Sequence, residues 1–336
     1  MKFTAYHLFF DTPVHFGIES IGQEKIEITA RSDTLWGAVV QKWLLLFRDD
    51  PEQICNNSLF DVSSSFPFVK GKRFYPLPVG LLDELMNKVA HNAGEYGVDV
   101  KTLKKIRFVS ETLLQKMING HKPELEDISE ATVFPFYAEE SDKAVPFFRQ
   151  DQRPRLRTDQ LNQGAGDESF FYCTDQFFSQ ESGLFFLAQF ADKESEGKFE
   201  AALRLLGDSG LGADRSVGRG FFHFDKQEVE LGSSTSSTSA FLLLSLLRPS
   251  RKDVENGLLS EGRYSLVRRY GRAGSHVTSR FRRADCWMLE EGAMLPFIPE
   301  GTVPVVLAMG KEGENVIQHN VYRYGKGVCL PISVRG

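Results

Sequence analysis

At roughly 150 residues per domain, a chain of 336 residues is long enough for two domains. Its 41% hydrophobic and 25% charged content is that of an ordinary globular protein and excludes fibrous, collagenous and wholly disordered readings. The 40 Lys and Arg against 45 Asp and Glu leave a net charge of −5, so no whole-molecule field draws the chain onto a polyanion or an acidic membrane, and any nucleic-acid affinity must be local.

The longest apolar run, Ala240 to Leu247, is broken by Ser245 and falls short of the ~20 residues a membrane span needs. The first ten residues lack a signal-peptide pattern, so a cytoplasmic protein without a membrane partner is expected. The four cysteines (55, 173, 286, 329) are too scattered for a disulfide framework or metal knuckles, and the seven histidines lack HExxH or HxE spacing. GxxxxGK[ST], GxGxxG and GxSxG are absent. No metal, cofactor or small-molecule substrate is expected.

In chain order, Lys2 to Phe10 reads as a strand closed by Asp11-Thr-Pro13. Ser32-Asp33 offers an N-cap for a helix over about Thr34 to Arg48, whose stripe is Trp36, Val39, Val40, Trp43 and Phe47. Residues 51–150 read as an irregular insertion with helical pieces at Leu81 to Val89 and Leu103 to Ile118. Its apolar Phe66 to Val69 and Phe134 to Tyr137, with the acids Glu124, Glu126, Asp127, Glu139 and Glu140, assign it to an interface with another protein, closure of the domain's own core being the alternative. Strands follow at Ser169 to Thr174 and Gly183 to Phe190, then a helix at Lys198 to Leu206 ending at Gly207, and a strand at Gly220 to Phe224.

Without the insertion the order is βαββαβ, the plan of a ferredoxin-like (RRM-like) domain over residues 1–231. The serine- and threonine-rich 232–239 is a bridge to a β-rich unit, 240–336, read as a second, degenerate ferredoxin-like domain. The expected class is therefore α+β.

Charge is concentrated locally. Arg263, Arg268, Arg269, Arg272, Arg280, Arg282 and Arg283 fall in a stretch without Asp or Glu, interleaved with Tyr264, Tyr270 and Phe281. Arginine forks grip phosphate oxygens, and aromatic faces stack on unpaired bases; pairing of these arginines with remote carboxylates is the alternative. A second cluster is Arg149, Arg153, Arg155 and Arg157, with Arg155 and Arg157 on one side of an extended strand. Between helix and strand, glycines 207, 210, 212, 218 and 220 surround Arg215, Ser216 and Arg219. Such a loop can turn backbone N–H groups onto an anion, or can be a tight turn without a ligand.

At this loop the sequence resembles the RAMP superfamily of CRISPR-associated RNA-binding proteins, and more narrowly the Cas5-like fourth subunits of type III-A Csm effectors. The matching pieces are Pro13-Val-His-Phe-Gly17, Ser32 to Ala38, Phe108-Val-Ser110, Arg153-Pro-Arg155 with Asp159, Gly210 to Gly220, Tyr264 to Arg269 and Val321 to Lys326. Tyr270-Gly271 departs from the family's double glycine. The resemblance implies a non-catalytic subunit that binds the 5′ handle of the CRISPR RNA, joins a RAMP backbone subunit and docks the large polymerase-like subunit. The expected RNA contacts are His15, Arg153, Arg155, Arg157, Gly212, Arg215, Ser216, Gly218, Arg219, Gly220, Arg268, Arg269, Arg272, Arg280, Arg282 and Arg283. The alternative is a metal-independent CRISPR-RNA-processing endoribonuclease with His15 as general acid or base.

Overall fold

A computed structural model describes residues 1–18, 25–91, 100–128, 132–134, 148–156, 170–232, 240–271, 282–307 and 320–333. The first part of the chain comprises β1 (Lys2–Phe10), α1 (Ser32–Phe47), α2 (Pro51–Asn56), β2 (Phe60–Val62), β3 (Phe66–Val69), β4 (Lys72–Pro76), α3 (Asp83–His91), α4 (Val100–Lys105), β5 (Phe108–Ser110) and α5 (Glu111–Ile118). It continues with β6 (Val133–Phe134), β7 (Phe148–Leu156), β8 (Phe170–Phe178), β9 (Ser182–Phe190), α6 (Lys193–Ser209) and β10 (Phe222–Glu230). An antiparallel sheet runs β10-β1-β9-β3-β4-β5-β6, with β2 also on β9.

Strand periodicity divides the core into two. Successive side chains of a strand point to opposite faces. Tyr6 and Leu8 of β1, with Leu184, Phe186 and Ala188 of β9, meet α1 and α6 through Leu35, Trp36, Val39, Trp43, Phe199, Leu203 and Leu206. Phe3 and Ala5, with Phe185 and Leu187, face the other way onto Leu113, Leu114 and Met117 of α5. Gly37 costs α1 about 1 kcal/mol of helix propensity, but each fully buried large apolar side chain returns ~1.5–3 kcal/mol, so the stripe decides. Phe47, the last member of the expected stripe, is exposed, with Lys198 Nζ 5.6 Å from its ring centroid.

The second part comprises β11 (Ala240–Leu243), α7 (Arg251–Glu255), α8 (Leu258–Glu261), β12 (Leu266–Arg269), β13 (Cys286–Leu289), β14 (Met294–Leu295), β15 (Val305–Leu307), β16 (Val321–Tyr322) and β17 (Cys329–Ile332). Its strands form the sheet β14-β11-β17 and the ribbons β12-β13 and β15-β16. Leu242, Leu244, Leu330 and Ile332 join the core of Phe3 and Phe185, so this half roofs one face of the central sheet. The architecture is mixed α/β with antiparallel sheets. Among the described residues, no helix is long and apolar enough to cross a membrane.

Four sequence expectations differ from the structure. Ser32-Asp33 lies inside α1 and does not cap it; the cap position is Arg31, without a side-chain cap bond, because Ser32 Oγ accepts from Leu246 N (2.9 Å) and Asp33 binds arginines. The helix read over Leu103 to Ile118 is interrupted, since Phe108 and Val109 are buried as strand β5 beside β4. Phe66 to Val69 is a strand of the central sheet with Phe66 and Phe68 buried, so these rings offer no interface. The helix before the loop ends at Gly210, beyond Gly207. Pro135 to Tyr137, Glu139, Glu140 and the bridge 233–239 lie outside the described residues.

Candidate RNA interface

The segment after β1 ties three basic regions together. Pro13 O accepts from Gly220 N (2.9 Å) and His15 O from Ala213 N (2.9 Å), both in the glycine-rich loop. Val14 pairs through both backbone groups with Gln176 of β8. Ile18 O accepts from Tyr270 Oη (2.8 Å) in the arginine-rich stretch.

Strands β7 and β8 form a ribbon with Arg149, Asp151, Arg153 and Arg155 on one side, opposite Phe177, Asp175, Cys173 and Phe171. The guanidiniums of Arg149 and Arg153 lie 5.1 and 5.7 Å from the Phe177 ring centroid, and Arg153 Nε donates to Asp151 (2.9 Å). Tyr172 and Phe170 are exposed on the opposite side. Arg157 lies outside the described residues.

The loop's glycines serve close backbone packing more than an open cradle. A Cβ at Gly210 would meet Arg219 O at 2.3 Å, one at Gly212 His15 O at 2.8 Å, and one at Gly220 Leu211 O at 2.1 Å, all at positive φ. Leu211 N donates back to Gly220 O (2.9 Å). Gly218 differs, with φ +82° but open space around it. Asp214 also adopts the left-handed conformation, and Arg215–Val217 forms a single 3₁₀ turn.

The loop is clasped to the ribbon by charge. Arg219 is buried and donates to Asp175 (2.5 Å) and Asp214 (2.7 Å), and Arg155 also reaches Asp214 (2.9 Å). Burial raises the Asp175 carboxyl against the pull of Arg155, and its Oδ1 has no partner among the described residues. Burial pushes the Cys173 thiol up to about 11, so it is not a nucleophile at neutral pH. His15 is buried, its Nδ1 2.7 Å from Thr174 O. These residues form the base of the site. Its rim is Arg215, half-exposed and without a carboxylate partner among the described residues, beside exposed Ser216 and Val217. Lys42, absent from the sequence candidates, joins the rim: burial and the nearby Arg215 hold its ammonium below the usual lysine range.

In the third region carboxylates take most of the described arginines, a remote one in the case of Arg269. Arg268 Nε donates to Asp285 (3.0 Å), Arg282 approaches Asp285 at 3.5 Å, and Arg269 forks onto Asp33 (2.8 and 3.1 Å). Arg283 has no ion pair among the described residues. Arg272, Arg280 and Phe281 lie outside them. Two residues not singled out as site candidates belong here: Arg323, buried and bonded to Asp33 (2.6 Å), and Trp287, 59% exposed and directly across the ribbon from Arg268. Arg323 was legible only inside the Val321 to Lys326 match. Trp287 reads as one more strand apolar until the β12-β13 pairing shows which face it occupies.

A family profile for the CRISPR Csm4 C-terminal domain matches residues 236–332. The chain is 24% identical to the CRISPR system Cms protein Csm4 of Streptococcus thermophilus, over 99% of this chain and 100% of that one. It is also 24% identical to its counterpart from Thermococcus onnurineus (96% and 97% covered). In fold it is similar to a chain of the Csm3-Csm4 subcomplex of the type III-A interference complex, with TM-score 0.65, 19% identity and 99% of each chain covered. It is likewise similar to a chain of a Csm1-Csm4 cassette in complex with cA4, with TM-score 0.62, 18% identity and full coverage of both. The glycine-rich loop between the last helix and last strand of the antiparallel sheet therefore sits in a fold shared with chains of these CRISPR complexes. Residues 236–332 thus match the CRISPR Csm4 C-terminal domain, and over nearly its whole length the chain is similar to Csm4 proteins.

Proposed function

We propose that this chain is a non-catalytic subunit that holds the 5′ handle of a CRISPR RNA and joins the large subunit to the backbone of a Csm complex. The observation that carries the RNA reading is the clasp of the glycine-rich loop to the basic ribbon through Arg155, Asp214, Arg219 and Asp175, with Pro13 to Ile18 linking both to the arginine-rich stretch. Single-stranded RNA is gripped by such combinations of charge, splayed aromatic faces and close backbone approach. The strand order β10-β1-β9-β3, with α1 and α6 on one face, supports a ferredoxin-like domain over 1–231; we assign 240–336 to a second, degenerate one. Relatives solved with Csm1 and with Csm3 support the large subunit and a backbone subunit as partners. In the endoribonuclease alternative His15 would need to reach RNA, whereas it is 2% exposed and bonded to a backbone carbonyl, which favours a packing role.

Arg153 and Arg215 are arginines of the ribbon and the loop that reach solvent and take no part in the buried clasp. Replacing both with Ala is expected to weaken binding of labelled repeat RNA and to flatten log K against log salt by ~0.7 for each lost phosphate contact on a single strand. Unchanged affinity and slope would make both ordinary surface residues. The RNA should be recovered at full length.

A further inference from the structure

Three guanidiniums, those of Arg269, Arg283 and Arg323, gather at the first turn of α1 around a single carboxylate, Asp33. Arg269 contributes two bonds and Arg323 Nη1 one (2.6 Å), and Thr34 Oγ1 lies 3.3 Å from Oδ1, so Asp33 has little left to accept. Burial alone would raise Asp33, but Arg269 and Arg323 hold its carboxyl well below the usual carboxylate range, so it is ionised. Glu27 acts on Arg269 only from a distance, because its carboxylate is forked by Arg31 Nε (2.9 and 2.8 Å). Counted by themselves, Arg269, Arg283, Arg323 and Asp33 sum to +2, while the adjoining Arg31, shared by Glu27, Glu290 and Glu291, forms a separate group; the N-terminal end of the α1 dipole adds to the positive side.

Arg283 holds that excess. Its Nε is buried without a partner, as is Nε of Arg323. Burial, with Arg323 and Arg269 beside it, pulls its guanidinium down to about 10. Its position is built: Arg283 N donates to Gly271 O (2.9 Å), and a Cβ on Gly271 would stand 2.8 Å from Nη2. Any side chain at 271 would push the guanidinium aside. Arg283 is only partly buried, so an anion can reach it from solvent.

We infer that Arg283 is the seat of one phosphate of a single-stranded RNA, with Arg269 and Arg323, fixed on Asp33, as positioning residues. The inference rests on the RNA-binding reading above. The fork could take a carboxylate or a phosphate alike; a phosphodiester of single-stranded RNA is favoured because exposed Trp287 on the β12-β13 ribbon offers a stacking face to an unpaired base.

The test uses the full chain with Arg283→Met and Arg283→Lys. An unpaired, partly desolvated charge contributes nothing to folding, so Arg283→Met should keep or raise Tm in anion-poor buffer. It should lose the wild-type excess Tm rise on titrating inorganic phosphate, bind handle-length RNA about tenfold more weakly, and flatten the salt slope by ~0.7. Arg283→Lys should restore the slope but not the full affinity. A fall in Tm for Arg283→Met without added anion would show a structural arginine and overturn the inference, as would an unchanged phosphate response and RNA slope. If wild type ignores RNA yet keeps an Arg283-dependent phosphate response, the RNA-binding reading fails and the seat belongs to another anion, such as a partner's acidic group.

Discussion

His7 sits in the middle of β1, its ring edge-on to Phe68 (5.1 Å between centroids) and stacked on Phe185 (5.8 Å). Burial, reinforced by Arg73, pulls its imidazole down to about 4, against an unfolded value near ~6.5. Between those values the unfolded chain binds more protons than the folded one. Stability is therefore complete above about pH 6.5 and declines as pH falls toward the folded value. Denaturant unfolding at pH 7 and pH 5 should show this loss, and His7→Phe should shrink it; an equal pH dependence in the variant would assign the loss elsewhere. The same scale shows why charge was only half legible in the sequence. An arginine-rich stretch can be counted, but the carboxylate partner of Arg269 lies 236 residues away and Asp175, one of the two partners of Arg219, lies 44 away, separations no local pattern encodes. What the count could not reveal is that Arg283 is left over.

At the scale of elements, the loop between α6 and β10 separates two kinds of glycine. Gly220→Ala would drive a Cβ into the Leu211 carbonyl in a left-handed backbone, and is expected to cost about 3 kcal/mol. Gly218→Ala meets open space and should cost only the ~1–2 kcal/mol of an L-residue in that conformation. Equal losses in urea unfolding would contradict the packing described for the loop. The glycine spacing announced a special turn but not which glycines touch backbone. Likewise the Trp36 to Trp43 stripe fixes α1 from sequence alone, whereas Leu103 to Ile118 has helical spacing throughout and is split because Phe108 and Val109 find strand partners in Tyr75 and Pro76.

For the whole molecule, the two faces of the central sheet have different owners. Helices α1 and α6 cover one, while α5 and the strands β11 and β17 cover the other, so the second half completes the core of the first. The order of strands and helices carried most of this plan, because period-2 and helical patterns are local. Which half roofs which face is set by long-range packing and was not readable. The same packing brings the ribbon, the loop and the arginine-rich stretch around Pro13 to Ile18, the surface we propose to hold RNA without cutting it. Photocrosslinking of a handle-length RNA carrying 4-thiouridine to the full chain, followed by peptide mapping and sizing of the RNA, tests this proposal. Crosslinks in β7-β8, at Arg215 to Gly218 and between Tyr264 and Arg283, with full-length RNA recovered, are predicted. Crosslinks confined to the face of α3 to α5, or RNA recovered in shortened form, would contradict it.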